Sequence, residues 1–300
     1  MNNLSFFMNE IAVTGANGMT GSHMVSLLKS KGIPVKAVTR QEWDLTEWKS
    51  FDELDHIFGS VLAVFHFGAQ LPYNDFKNDN RQTQQIFDAN IRSCLNLAEW
   101  AKLRNVPIVF LSGAVVYKDP HTSKIIETDP KVVSGFGGFY GYSKLAAENI
   151  FSHFSAEGLK CIILRPSSIY GYGLPSEKLV QNYINIAASG GKIQVAGSKN
   201  RINLIHAYDV VNAALKAYKS SAWGVFNISS DTSNSILEIA EIAVSISEKG
   251  SIDIMDNVDN NCFERFDLDS KLAKKDFGFE ARVNLKEGML LMKNKMFIPC

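Results

Sequence analysis

The chain has 300 residues, which is long enough to bury a full hydrophobic core as one large domain or two unequal lobes. Basic and acidic residues both number 31, and this zero net charge argues against electrostatic attraction to nucleic acid or to an acidic membrane. The four cysteines are scattered, without a CxxC pair or a ligand-like spacing to the histidines, so no metal site is predicted. Because that cysteine pattern fits a reducing compartment, and neither a signal peptide nor a membrane span is recognisable, we expect a cytoplasmic protein.

Short apolar runs alternate with helical periods along the first half of the chain. Strands are predicted at residues 10–14, 35–39, 61–67, 107–112 and 160–165, and long helices at 81–104 and 140–157. Continuous Val, Ile, Leu and Phe runs separated by helices indicate a parallel sheet covered on both faces. The predicted fold class is therefore α/β, with a Rossmann-type doubly wound parallel sheet.

Glycine and proline become frequent after Pro166, and they divide the rest of the chain into shorter elements. We therefore place a dinucleotide-binding domain at residues 1–165, with part of 201–230 joining its core. A smaller substrate-binding region takes most of residues 166–300 and is interleaved with the sheet.

A glycine motif with GxxGxxG spacing, Gly15, Gly18 and Gly21, follows the first predicted strand and also contains Asn17 and Met19. In a strand–turn–helix unit, such glycines allow a tight turn, a close approach of backbone to a pyrophosphate and close packing of helix on strand. The following helix N-terminus directs its unpaired N–H groups at the phosphates. The motif predicts a dinucleotide site, although a glycine-rich turn without a ligand remains the alternative.

The end of the second strand bears on the choice of cofactor. NAD enzymes usually place an acidic side chain there to hold the ribose hydroxyls, whereas this chain has Arg40. A guanidinium suits a 2′-phosphate, so NADP is favoured over NAD, unless Arg40 is an ordinary surface arginine. Asp44 and Leu45 follow closely, and the Asp44 carboxylate is a candidate acceptor for the adenine amino group.

Tyr140 and Lys144 are four residues apart in a predicted helix, which places them on one helical face. A tyrosine with a pKa of about 10 is a poor acid or base at neutral pH. A neighbouring ammonium favours the phenolate and lowers that pKa. The pair therefore points to hydride chemistry on an alcohol or ketone, once a dinucleotide site is also present.

Taken together, six segments resemble the extended short-chain dehydrogenase/reductase family, which contains nucleotide-sugar epimerases, dehydratases and reductases. The resemblance runs from about residue 10 to about residue 290. The segments are Thr14–Gly21, Phe65–Gln70, Tyr140-x-x-x-Lys144, Leu164–Gly171, Arg201–Val210 and Phe226–Ile228.

The resemblance implies that Tyr140 is the acid/base and Lys144 its partner. It further implies that Arg265 reaches a substrate diphosphate, although a surface salt bridge is the alternative for that side chain. The remaining residues assigned to the sites on this basis are Phe67, Gly68, Ala69 and Pro166 for the cofactor, and Ser167 and Arg201 for the substrate.

The chain departs from the family at Gly113, where a serine or threonine normally supplies a hydroxyl to the reacting sugar oxygen. A substitute hydroxyl is expected from Ser112, Ser134 or Ser167, and Ser112 is included among the predicted catalytic residues. In an extended strand, however, Ser112 faces the opposite side from residue 113. A different substrate pose or a low activity are the alternatives.

The residues that follow Gly113 restrict the range of reactions expected. The 4,6-dehydratases of the family carry an acidic pair where this chain has Ala114 and Val115, which argues against a dehydratase. The short segment from Arg40 to Leu45 resembles reductases and epimerase-reductases that act on a nucleoside-diphosphate sugar at a 4-keto centre. The alternatives are a 4-epimerase without net cofactor use, a catalytically weakened binding protein, and an enzyme for a non-sugar carbonyl.

The expected partner is therefore a nucleoside-diphosphate sugar, together with NADP or NAD. The resemblance also implies a homodimer in which helices 81–104 and 140–157 pair with their copies as a four-helix bundle. Their apolar positions are equally compatible with an intramolecular core.

Overall fold

In the computed structural model, the described residues are 10–72, 80–255 and 262–298. Their strands are β1 (Glu10–Thr14), β2 (Val35–Val38), β3 (Val61–His66), β4 (Ile108–Leu111), β5 (Cys161–Pro166), β6 (Ser168–Tyr170), β7 (Lys192–Val195), β8 (Arg201–His206), β9 (Gly224–Ile228), β10 (Ser233–Ser235), β11 (Ser251–Ile254) and β12 (Glu264–Arg265). Their α-helices are α1 (Met19–Ser30), α2 (Phe51–Phe58), α3 (Asn80–Phe87), α4 (Ser93–Arg104), α5 (Gly138–Ala156), α6 (Leu179–Ala188), α7 (Ala207–Lys219), α8 (Ile236–Ser247), α9 (Lys271–Phe277) and α10 (Leu285–Lys293).

Six parallel strands form the central sheet, in the order β2-β1-β3-β4-β5-β9. One face packs against α1 and α7 through side chains such as Met24 and Val211, and the other packs against α2, α4 and α5 through Trp100 and Phe151. Burial of both faces explains why the strands read as continuous apolar runs. The predicted doubly wound α/β fold is confirmed.

The strand order reverses beside β1, because β2 lies on one side of it and β3 on the other. Thr14 is in register with Val38 of β2 and with His66 of β3. The turns after these three strands therefore meet at the carboxyl edge of the sheet, where open α/β sheets bind ligands.

The chain after Pro166 contributes to two layers. It supplies β9 and α7 to the central sheet and its covering helices. The other layer contains β8, flanked by β10, β12 and β6, and a two-stranded β7–β11 sheet. Its apolar cluster is contributed mainly by α6, α8 and α10.

The helix predicted at 81–104 is not uniform. A π-helical turn at Asp88–Arg92 separates α3 from α4, and sequence periodicity does not reveal such a single wide turn. The helix predicted at 140–157 begins two residues earlier, at Gly138. Within the described ranges, no helix combines the length and apolarity needed to cross a membrane.

Candidate active site

The turn between β1 and α1 has the geometry of a phosphate-binding turn. Gly15 has φ +65°, and a Cβ added there would lie 2.6 Å from the Cα of Gly68, so a side chain is blocked by backbone. Gly18 caps α1 without a side-chain hydrogen bond, and the first turn of α1 carries no acidic residue. The helix N-terminus is therefore left able to bind an anion.

A cleft of about 200 Å³ opens beside this turn. Its polar rim carries an ion pair, in which Arg40 Nε lies 3.3 Å from Asp44 Oδ2. Hydrogen bonds from Thr46 to Asp44, together with the Arg40 charge, hold the pKa of the Asp44 carboxyl below its ordinary value despite its partial burial. The lining residues are Thr14, Gly15, Val38, Thr39, Arg40, Trp43, Asp44, Leu45, Gly68, Ala69, Gln70 and Ala89.

These residues fit a dinucleotide, because the glycine cradle excludes side chains while the rim offers charged groups for a ribose and an adenine. Six of the predicted cofactor residues line the cleft itself: Gly15, Arg40, Asp44, Leu45, Gly68 and Ala69. Phe67 is buried in the sheet core beside Phe65, and its backbone rather than its ring adjoins Gly15. Asn17 is exposed on the glycine turn, and Met19 begins α1.

Thr14 fixes the floor of the cleft. Its hydroxyl accepts a hydrogen bond from the Gly68 N–H at 3.2 Å and lies 2.8 Å from His66 Nδ1. Burial lowers the pKa of His66 to about 3, so the imidazole is neutral and shares one hydrogen bond with the Thr14 hydroxyl at Nδ1. These contacts tie the end of β1 to the end of β3.

Tyr140 and Lys144 lie one turn apart at the start of α5. The Lys144 ammonium donates a 2.9 Å hydrogen bond to the Leu111 carbonyl and lies 5.9 Å from the centre of the Tyr140 ring. Burial lowers the pKa of Lys144 from 10.5 to about 8. Burial also raises the pKa of the Tyr140 phenol, so the expected lowering by Lys144 is not seen in this arrangement, where desolvation dominates.

Ser112 belongs to a buried polar network below the Tyr140–Lys144 pair. Its hydroxyl donates to Glu148 Oε1 at 2.5 Å, and the same carboxylate forms a 2.6 Å ion pair with Arg165. Arg165 Nη1 also donates to the Tyr117 hydroxyl at 3.0 Å. The structure thus corrects the prediction of Ser112 as a substitute catalytic hydroxyl, because strand alternation directs it at Glu148.

Gly113 has extended backbone with φ 175°, which any residue adopts. A Cβ added there would contact only the Val115 Cγ2 atom, at 3.7 Å. Neither backbone strain nor crowding therefore requires glycine. Of the two other candidate hydroxyls, Ser134 is exposed on a loop, whereas Ser167 is 5% exposed and its Oγ has no hydrogen-bond partner among the described residues.

Arg201 and Arg265, the two arginines predicted to contact the substrate, do not converge, and a third arginine, Arg165, is engaged elsewhere. Arg165 is buried in the ion pair with Glu148. Arg201 donates to the Ser233 carbonyl and lies 3.4 Å from a Glu238 carboxylate oxygen. Arg265 is in register with Ile202, and therefore faces the side of the small sheet opposite to Arg201.

Two buried residues of the site were missed by the sequence reasoning. Glu148 follows Lys144 by four residues, a spacing that could have revealed it. Asn90 lies in the π-helical turn, exchanges hydrogen bonds with the Gln70 backbone at 2.7 and 3.0 Å, and donates to Ser143 Oγ at 3.0 Å. Asn90 thereby joins the rim of the cleft to the helical turn of Tyr140, and no local pattern signals that link.

Comparison with known proteins defines the class. Residues 11–229 match the model of the NAD dependent epimerase/dehydratase family, and the chain belongs to this family. It is 26% identical to UDP-glucuronic acid decarboxylase 6 of Arabidopsis thaliana, over 98% of this chain and 91% of that protein. It is 25% identical to dTDP-4-dehydro-6-deoxy-D-allose reductase of Streptomyces bikiniensis, over 79% of this chain and 80% of that protein.

A solved structure of similar fold is the Thermus thermophilus UDP-glucose 4-epimerase complex with NAD. Its TM-score is 0.79 at 20% identity, with 95% of this chain and 98% of that chain covered. The predicted family is therefore confirmed, and the chain is a member of a family of NAD-dependent enzymes.

Proposed function

We propose that the chain transfers a hydride between a nicotinamide cofactor and a nucleoside-diphosphate sugar, reducing or epimerising the sugar at a 4-keto centre. The observation that carries this proposal is the pair Tyr140 and Lys144, one helical turn apart beyond the carboxyl ends of β4 and β5, on the same sheet edge as the glycine cleft. The cofactor supplies the hydride donor or acceptor when bound. Gly15, Gly18, Gly21 and Gly68 provide the cradle for its phosphates.

In this proposal Tyr140 exchanges the proton of the sugar hydroxyl, as general acid in reduction and general base in oxidation. Lys144 would hold a ribose hydroxyl of the cofactor. Its ammonium can exchange the Leu111 carbonyl for that hydroxyl and still lie beside the Tyr140 ring. With a pKa of about 8, the ammonium form of Lys144 predominates at neutral pH and is lost as the pH rises above 8. Pro166 and Phe67 would frame the cofactor from the strand ends.

We propose that Ser167 supplies the hydroxyl that a serine or threonine of the family normally provides at the position of Gly113. Ser167 directly follows β5 at the carboxyl edge of the central sheet, the edge that also carries the turn of Tyr140. The chain bends here between β5 and β6, and the Ser167 N–H donates to the Ile228 carbonyl at 2.9 Å. A buried hydroxyl that finds no partner in the described part of the chain favours a partner on the substrate.

The segment after Gly113 supports reduction or epimerisation over dehydration. Ala114 and Val115 occupy a short 3₁₀ turn beside Tyr117 and bring no carboxylate to the substrate side. The likeness to an allose reductase agrees with a reductase, and the likeness in fold to a 4-epimerase agrees with the second candidate, epimerisation without net cofactor use. The absence of a hydroxyl at position 113 favours the third candidate, a binding protein with weak turnover.

Arg40 favours NADP over NAD, since its guanidinium lies on the rim of the cleft and is 71% exposed in its side chain. Titration with NADPH and NADH tests this preference. Arg40→Ala is expected to weaken NADPH binding by about tenfold, the contribution of one charged hydrogen bond, and to leave NADH binding unchanged. Equal losses for the two cofactors would contradict the assignment of Arg40 to the 2′-phosphate.

The reaction itself is tested by following nicotinamide absorbance with a panel of nucleoside-diphosphate 4-keto sugars and ordinary sugar nucleotides. Net oxidation of NADPH with one keto-sugar is the result expected of a reductase. Product formation without net oxidation would identify an epimerase, and tight binding without product would identify a binding protein. Absence of both cofactor binding and nucleotide-sugar binding would overturn the proposal.

We also propose a cytoplasmic homodimer, in which α4 and α5 pair with their copies. Leu103, on the last turn of α4, is 59% exposed, and Phe139 and Tyr142 are partly exposed at the start of α5. The molar mass in solution, measured by light scattering, tests this association. A mass of twice 33.3 kDa is expected, and a monomer mass would contradict it.

A further inference from the structure

Arg265 packs against two aromatic rings. Its guanidinium carbon lies 4.7 Å from the centre of the Phe136 ring and 5.2 Å from the centre of the Phe263 ring. A planar, weakly hydrated guanidinium packs favourably on aromatic rings at this distance. The two rings restrict the directions from which a ligand can approach the cation.

The charge of Arg265 is also not neutralised within the described residues 10–72, 80–255 and 262–298. Its Nε is buried without a hydrogen-bond partner, and burial lowers the pKa of the guanidinium. By contrast, Arg165 pairs with Glu148 and Arg201 with Glu238. A partly desolvated cation without an anion is costly, so Arg265 is the group in this region that gains most from an anionic ligand.

Phe136 connects this cation to the segment of the acid/base. It lies in the glycine-rich loop before α5, four residues ahead of Tyr140, and its ring meets the buried Phe266 ring at 5.7 Å. The next residue, Gly137, fits closely against the first turn of α5, since an added Cβ would lie 2.9 Å from the Gly141 Cα. Phe136 therefore precedes a residue that packs closely against the first turn of α5, the turn that carries Tyr140.

We propose that Phe136 is a positioning residue, which together with Phe263 holds the Arg265 guanidinium so that its outer N–H donors receive a phosphate of the substrate diphosphate. This inference rests on the proposed function, because it assumes a nucleoside-diphosphate sugar in the same site. In this proposal the glycine-rich loop contributes the Phe136 side chain to the substrate site, in addition to its flexible glycines.

Calorimetric titration with UDP, dTDP, GDP and inorganic pyrophosphate tests the inference. Phe136→Leu removes the ring and keeps most of the bulk, so the best-binding nucleoside diphosphate should bind about 3- to 10-fold more weakly, because the released Arg265 side chain must then be immobilised on binding. Phe136→Tyr keeps the ring and should bind within twofold of wild type. The matched control is Phe154→Leu near the other end of α5, whose ring lies 5.7 Å from Lys102 Nζ, and it should also remain within twofold.

Two further readouts separate positioning from general damage. The dissociation constant of NADH should be the same in all four proteins, and with a turned-over nucleotide sugar Phe136→Leu should raise KM while kcat stays within about threefold. Unchanged diphosphate binding in Phe136→Leu or in Arg265→Ala would overturn the inference, as would a wild-type protein that binds none of the four probes.

The same measurements distinguish a failure of this inference from a failure of the proposed hydride transfer. A protein that binds a nucleoside diphosphate through Phe136 and Arg265 but neither binds nor uses a nicotinamide cofactor would retain this inference and lose the hydride chemistry. A protein with cofactor-dependent turnover whose diphosphate binding ignores Phe136 would retain the chemistry and lose this inference.

Discussion

Removal of the Ser167 hydroxyl is the most informative perturbation of the proposed chemistry. If Ser167 replaces the hydroxyl missing at Gly113, Ser167→Ala should lower kcat by about 10²–10³, the effect of losing one well-placed hydrogen-bond donor. Gly113→Ser should then restore most of that loss in the double variant. In the wild-type background, where one donor is already present, Gly113→Ser should change kcat by less than about tenfold.

The structure indicates that neither change disturbs the fold. The Ser167 Oγ has no protein partner, so its removal breaks no hydrogen bond within the described structure. At Gly113, the extended backbone and the 3.7 Å approach of Val115 Cγ2 admit a side chain without strain. A residue larger than glycine at an unstrained position is expected to raise the free energy of unfolding by about 0.4–1 kcal/mol, through the unfolded state.

The assay is steady-state turnover of the nucleotide sugar that the wild-type protein accepts, with thermal unfolding of every variant. Gly113→Ala is the matched control, since it adds the Cβ without the hydroxyl and should not rescue Ser167→Ala. Turnover of Ser167→Ala within threefold of wild type would refute the reasoning. Equal rescue by alanine and serine at position 113 would refute it as well, because packing rather than a hydroxyl would then be responsible.

Three other predictions concern the cradle, the buried pair and the lysine. Gly15→Ala and Gly32→Ala both place alanine at φ +65°. Backbone strain should lower the free energy of unfolding of Gly32→Ala by about 1 kcal/mol in denaturant unfolding, and overlap with Gly68 should cost Gly15→Ala a further ~1–3 kcal/mol. Equal costs would contradict the close packing of Gly15 against Gly68. Glu148→Gln should lower the free energy of unfolding by about 3–5 kcal/mol because it leaves Arg165 buried and unpaired, whereas Glu157→Gln in the exposed pair with Lys102 should leave the denaturation midpoint unchanged. Folding lowers the pKa of Lys144 from 10.5 to about 8, so the folded state binds fewer protons than the unfolded state between these pH values. The free energy of unfolding should therefore rise with pH across this window, and Lys144→Met should flatten the rise. A fall in stability with pH relative to Lys144→Met would contradict the lowered pKa of Lys144.

Local patterns predicted the parts of the molecule that depend on neighbours in sequence. The strand Glu10–Thr14 and the turn after it follow from an apolar run and a glycine spacing, and both are as expected. The Tyr140–Lys144 pair follows from helical periodicity in the same way. Such features are set within a few residues, so a single sequence contains them.

Features set by strand register and by distant contacts could not be predicted in this way. The opposite faces of Arg201 and Arg265 depend on how β12 pairs with β8, and the Arg165–Glu148 pair depends on α5 packing over β5. The position of Arg265 against Phe136 joins residues more than a hundred positions apart. The orientation of Ser112 is an intermediate case, since strand alternation alone directs it away from the face of residue 113.

We propose that Tyr140 moves the proton in a hydride transfer on a nucleotide sugar. The most direct measurement compares wild type with Tyr140→Phe, recording cofactor dissociation constants and turnover of the nucleotide sugar on the same samples. Tyr140→Phe should bind the cofactor within about twofold of wild type and lose turnover by about 10²–10⁴, the contribution of a positioned acid/base. Turnover by Tyr140→Phe at the wild-type rate, with the cofactor bound, would contradict it.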